Sequence, residues 1–229
     1  MVENLDSVIV FSFFGFPINA TLFYSWLVMA LLVIGSWILT RRLKTDVTVS
    51  RWQVVLEMIV LTLRRQIKEV SGDNPSRYLM GIGTFFLFIA FSNVLTVIPW
   101  FKAPTSSLST TAAFAFCVFM AMPIYGVHNA GVKGYFKKYI EPTVIMMPLN
   151  ILSDFSSTFA LAFRLYGNML GGAVAGTVLM TLAPFLLPIP MQLLGLVTGL
   201  IQAYIFAMLA IVYVSSVGPS TPFVDDLEE

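Results

Sequence analysis

Charge is the scarcest commodity in this 229-residue sequence: only 11% of it is Asp, Glu, Lys or Arg, against about 25% in soluble domains. It is also withheld from long stretches. No charged residue occurs from 7 to 40, 78 to 101, 103 to 132 or 165 to 224, and each run is long enough to cross a bilayer. With 58% hydrophobic residues and a mean hydropathy of +0.86, this excludes an ordinary soluble domain and leaves an all-α polytopic membrane protein.

Other absences narrow the function. A single cysteine, Cys117, excludes an internal disulfide and a thiolate metal site, and its expected role is packing. A net charge of +1 says nothing about nucleic acid, and no basic cluster is dense enough to point to it as a partner. No Lys or Arg precedes Arg41, so the basic start of a cleavable signal is missing, and residues 1–21 read as an external tail. The sequon Asn19-Ala20-Thr21 within it is short enough to be chance. An intramembrane hydrolase would need HExxH, GxSxG or paired membrane aspartates, and none is present. A secondary ion or solute transporter, the alternative reading, would show two related halves with paired broken helices; only the second half carries a membrane arginine.

What is present reads as about five membrane-inserted helices and one amphipathic interfacial helix in a single membrane domain. The first span covers 22–40, with Tyr24 and Trp26 near one interface and Trp37 near the other. Arg41, Arg42 and Lys44 follow it, which puts that end in the cytoplasm and the N-terminus outside. In 48–70, Gln53, Glu57, Arg64 and Lys68 share one helical face and Val54, Val55, Met58, Ile59, Leu61 and Leu63 cover much of the rest. That is the pattern of a helix along the cytoplasmic interface or of a solvated surface helix. A turn at Ser71–Ser76 ends it. Spans at 78–98 and 112–127 enclose an external loop with Lys102 alone, and the second leads to a loop with Lys133, Lys137 and Lys138. His128, where span and loop meet, reads first as a polar interfacial residue and second as an ion relay.

The remainder, 145–217, is a helical hairpin interrupted by Pro184, Pro188 and Pro190, with the acidic tail 218–229 in the cytoplasm. In its first arm Asn150, Asp154, Ser157, Leu161, Arg164, Asn168 and Gly172 recur at three- and four-residue steps. Gly167, Gly171, Gly172, Ala173, Ala175 and Gly176 would let another helix approach. A guanidinium at the bilayer centre costs about 2.5–3.5 kcal/mol on insertion scales. The neighbours one turn from Arg164 are Ala160, Leu161, Gly167 and Asn168, none acidic, and arginine does not deprotonate. Its counter-charge therefore lies elsewhere in the chain or on another subunit. The second arm has Gln202 as its conspicuous polar residue, after Thr198.

PLNILSDF, FRLYGNMLGG and IQAYIFAMLAIVYV resemble the three most characteristic stretches of subunit a of the F-type ATP synthases. GVHNAGVKGYFKK and PTSSLSTT resemble that family's cytoplasmic and external loops. The resemblance runs from about residue 75 onward, in the family's order, and R-L-Y-G-N combined with Q-A-Y-I-F makes it specific. It implies a subunit that is not catalytic alone. Such a subunit lies in a bacterial inner membrane with its hairpin packed against the c-subunit ring, and it works with the b-subunit peripheral stalk and the remainder of the ATP synthase. It needs no cofactor and no metal; H⁺ or Na⁺ is its cargo. Arg164 matches the family's essential arginine, which meets the ring's ion-binding carboxylate. Asn168 and Gln202 match polar residues lining the same site. Asp154 matches an acidic half-channel position, with Asn150 one turn before it.

Three positions depart from the family. Ala173 stands where many members have an ionisable residue nine positions after the arginine, Gly195 where its usual partner lies, and Ser107 where an external aspartate is common. A relay of protonatable groups beyond Arg164 is thereby weakened. Water beside Gly172, Ala173 and Gly195 would carry the ion instead, with H⁺ the first reading and Na⁺ the second.

Overall fold

The structure is a computed structural model that describes residues 9–13, 16–41, 51–71, 75–98, 101–140, 145–182 and 188–216. The acidic tail, Arg42, Lys44 and the middle of the hairpin turn lie outside the described residues. Two short strands, β1 (Ile9–Phe13) and β2 (Phe16–Asn19), pair antiparallel with an irregularity between Ile9 and Phe11. The sequence reading gave this segment only as a tail. Among the described residues six helices follow: α1 (Ala20–Arg41), α2 (Arg51–Ser71), α3 (Pro75–Leu95), α4 (Leu108–Ile140), α5 (Met146–Leu182) and α6 (Pro188–Ser216), with a 3₁₀ turn at Pro104–Ser106 before α4.

Helices are the only open-ended elements that satisfy their own backbone in hydrocarbon. Pro75 and Pro188 open α3 and α6, and Pro148 lies in the first turn of α5, whereas Pro123 lies inside α4, a position membrane helices accept where neighbouring groups re-satisfy the freed carbonyl. Among the described residues four helices, α1, α3, α4 and α6, are long and apolar enough to cross a membrane. The fifth long helix, α5, carries Asp154 and Arg164. Its 37 residues reach about 55 Å, more than the roughly 30 Å hydrocarbon layer requires; a tilted arm has this length.

The core forms where α3, α4, α5 and α6 meet. Phe206 is fully buried and takes edge contacts from Phe85 at 6.1 Å and Phe114 at 6.5 Å between ring centroids. Ile89, Val118, Leu161, Leu165 and Ile211 complete it. Against this core α1 is peripheral. Val28 is fully buried, Tyr24 meets Phe101 edge-on, and the Arg41 guanidinium lies 3.7 Å over the Trp37 ring at the far end. Helix α2 buries Leu63 and Ile67 and is tied to α6 by Tyr204, whose hydroxyl donates to Gln66 Oε1 at 2.5 Å. Its Glu57, Arg64 and Lys68 are exposed, and so are Val54, Met58 and Leu61.

Two expectations change. The lysine-bearing segment after residue 127 is helical as far as Ile140, with a break at Gly131 (φ 71°, ψ 165°). That backbone region is essentially restricted to glycine, so a helix can resume in a new direction without a long loop. Cys117 is exposed and not packed in the core: it faces outward from α4, where a thiol serves as one more small apolar surface group.

Candidate functional site

The polar stripe of α5 runs along the border between that helix's buried and outward faces. Leu161 and Leu165 are buried, while Asn150, Asp154, Ser157 and Asn168 are half-buried. Arg164 and Gly172 are exposed. Turning one side of the helix into the core thus leaves the guanidinium outside it. No carboxylate and no hydrogen-bond acceptor among the described residues pairs with Arg164; the one ion pair there is Arg65–Glu69 at 3.1 Å on exposed α2.

The glycines around it are equally unpartnered. A Cβ added at Gly167, Gly171, Gly172 or Gly176 would meet nothing within 4 Å. Glycine in a helix interior costs roughly 0.8–1 kcal/mol relative to alanine, and the chain's own packing gives no return for it at these positions. Ala160 and Ala173 are exposed as well. On the same helix Phe155 stacks on Phe159 and Phe159 meets Phe163 at a tilt, with centroids 5.8 and 4.8 Å apart, as a ridge beside this low-relief strip.

Asn168 joins the two arms: its Nδ2 donates to the Thr198 carbonyl at 3.2 Å. In an antiparallel pair, four residues back on α5 and four forward on α6 lie at one level, so Arg164 and Gln202 share a height. They do not touch. Gln202 is 5% exposed and turned into the bundle, with its Nε2 lacking a partner among the described residues. Gly195 is half-buried with open space at its Cβ position.

Asp154 and Asn150 form a second group, one that the structure keeps apart from Arg164. Ten residues separate Asp154 from the arginine, about 15 Å along the axis. The Tyr139 hydroxyl donates to Asp154 Oδ2, Tyr135 donates to Tyr139 at 3.4 Å, and Asn150 Nδ2 donates to the Tyr139 carbonyl at 3.2 Å. Burial first, then the bond to Asp154, pushes the Tyr139 phenol well above the usual tyrosine range, so it stays protonated and donates. Sequence reasoning missed both tyrosines. Their only signal was the four-residue spacing of aromatics in a segment read as loop. It also passed over Asn93, an amide inside the charge-free run of α3, which donates to the Gly199 carbonyl at 2.7 Å.

Fold and site together define a polytopic helical membrane protein that holds, on an outward, small-residue helix face, a cation unpaired among the described residues. Residues 22–215 match the family model described as ATP synthase A chain. Over 211 residues the chain is 50% identical to ATP synthase subunit a 2 of Acaryochloris marina, covering 92% of this chain and 90% of that one. It is 50% identical to ATP synthase subunit a 1 of Chlorobaculum parvum (92% and 93%) and 46% identical to ATP synthase subunit a 1 of Crocosphaera subtropica (92% of each). The chain belongs to the ATP synthase subunit a family. It is an integral membrane component of that complex, not a catalyst by itself.

Proposed function

We propose that this chain supplies the two half-channels and the fixed arginine that couple H⁺ or Na⁺ flow to c-ring rotation, and so to ATP synthesis and hydrolysis. The observation that carries the reading is Arg164, exposed on α5, with no anion among the described residues and open space at the glycines beside it. A guanidinium in hydrocarbon needs a counter-charge. A ring of passing carboxylates supplies one in turn.

The chemistry follows from solvation. A ring carboxylate travels through lipid only when neutral, because the ionised form is too costly there. Beside Arg164 the ionised form is favoured, so the site gives up its ion to one aqueous half-channel. The fixed positive charge repels a cation moving directly between half-channels. Rotation then exposes the empty carboxylate to the other half-channel, where it reloads. Each charge contributes about 2.3 kcal/mol per 100 mV, so several must be summed per ATP.

Asp154 and Asn150, held against the end of α4 by Tyr139, suit the mouth of the cytoplasmic half-channel. Gly172, Ala173 and Gly195, with open space around the glycines, suit a water-filled external one, and Asn168 and Gln202 flank the crossing between them. In this arrangement the chain lies in a bacterial inner membrane with its N-terminus outside, and the b-subunit stalk holds it still against the ring.

Replacing Arg164 by Ala in the assembled, liposome-reconstituted complex is expected to abolish ATP-driven ion uptake while the chain stays incorporated. Unchanged uptake would remove the reading. The cargo is decided separately. Na⁺ is identified if it stimulates ATP hydrolysis and protects against carbodiimide labelling; H⁺ is identified if it does neither.

A further inference from the structure

Two side-chain amides converge on consecutive carbonyls of α6 from opposite neighbours. Asn168 of α5 takes Thr198 and Asn93 of α3 takes Gly199. In an α-helix both carbonyls already accept a backbone N–H four residues on, that of Thr198 from Gln202 itself. The two amide bonds therefore satisfy no missing backbone partner; they use the second lone pair of each oxygen. What they fix is where α6 stands.

The α3 contact is also a steric one. Asn93 is 1% exposed, and a Cβ on Gly199 would lie 2.9 Å from its Cγ and Nδ2 and 3.1 Å from its Cβ. Asparagine is too short to swing away without moving its own backbone, so a methyl there would push α3 and α6 apart by about 0.5 Å. Inside this seam Ser92 Oγ, Asn93 Oδ1 and Gln202 Nε2 are buried without partners among the described residues. Gln202 lies one turn beyond Gly199.

We propose that Asn93 and Gly199 are positioning residues for ion translocation: their amide-on-glycine joint, opposed by Asn168, sets the height and rotation of α6 and thereby holds Gln202 level with Arg164. The inference rests on the functional reading above. It adds two residues that touch neither the arginine nor the outward face of α5.

The test uses purified whole complexes in liposomes and reads ion uptake per ATP hydrolysed, with the amount of incorporated chain measured alongside. A merely structural role would lower the incorporated amount and leave the ratio of the assembled fraction unchanged. Gly199→Ala is expected to lower the ratio by about tenfold or more, since sub-ångström to ångström misplacement at a working site has effects of this order. Asn93→Ala alone should lower it a few-fold, and Asn93→Ala with Gly199→Ala should recover most of what Gly199→Ala loses, because the space is restored. A Gly199→Ala ratio within about twofold of the parent, or a double variant no better than Gly199→Ala, overturns the joint. Should Gly199→Ala fail to assemble, Asn93→Ala decides: a parental ratio overturns the proposal. Arg164→Ala separates the two ideas. If it leaves uptake intact, the translocation reading fails; if it abolishes uptake while Gly199→Ala is parental, only the joint fails.

Discussion

At the scale of single residues the two polar groups of α5 are held in opposite ways. Arg164 has no partner among the described residues, whereas Asp154 is gripped by the Tyr139 hydroxyl. Removing that hydroxyl with Tyr139→Phe should cost about 1.5 kcal/mol, the lower end for a bond to a carboxylate because the site is part-exposed. It is expected as a lower thermal midpoint of the detergent-extracted complex. The pH dependence has a definite sign. The folded phenol is raised above the ordinary value near 10, so its stabilisation is fully present below about pH 10 and is lost as pH rises further. Melts of the parent and Tyr139→Phe should run parallel through neutral pH and converge only in strong alkali. A gap that closes between pH 6 and 8 would contradict this. Arg164 was legible in the sequence because a lone charge in an apolar run is a local signal. Tyr139 and Asn93 were not, since their meaning lies in partners 15 and 106 residues away that only folding supplies.

At the scale of elements, periodicity and charge gaps made the helices legible to within a few residues. Hydropathy starts the first at 22 and it begins at Ala20; the proline break separates two hairpin arms, which run Met146–Leu182 and Pro188–Ser216. The miss was the end of α4. A run of Gly, His, Asn and Lys reads as loop by composition, yet it is helix on both sides of one special backbone position. Any residue with a Cβ at Gly131 would be strained, by about 1–3 kcal/mol, although nothing crowds the site. Gly131→Ala is therefore expected to destabilise the α4–α5 junction through its backbone alone. Limited proteolysis after residue 131 should accelerate in Gly131→Ala while Gly134→Ala, in regular helix, stays near the parent.

At the scale of the whole molecule, the distribution of lysines predicts which ends of the helices meet the cytoplasm. With Cys117 replaced by Ser, a membrane-impermeant maleimide should label Lys133→Cys only from the cytoplasmic face and Lys102→Cys only from outside. The reverse pattern would invert the topology and with it both half-channel assignments. The two sides of α6 and α5 also differ in kind. Where α3 meets α6, an amide is keyed into a glycine and bonded to its carbonyl; on the outward strip of α5, glycine and alanine leave no relief for a neighbour to lock into.

The unfilled glycine positions beside Arg164 carry one more consequence. A surface without pegs or sockets acts as a plain bearing: whatever rests on it can slide past without first being lifted free, so resistance to motion there comes from charge alone. On the functional reading proposed above, friction and grip would fall to opposite walls of one hairpin, and adding a single methyl to either wall should spoil a different one of them.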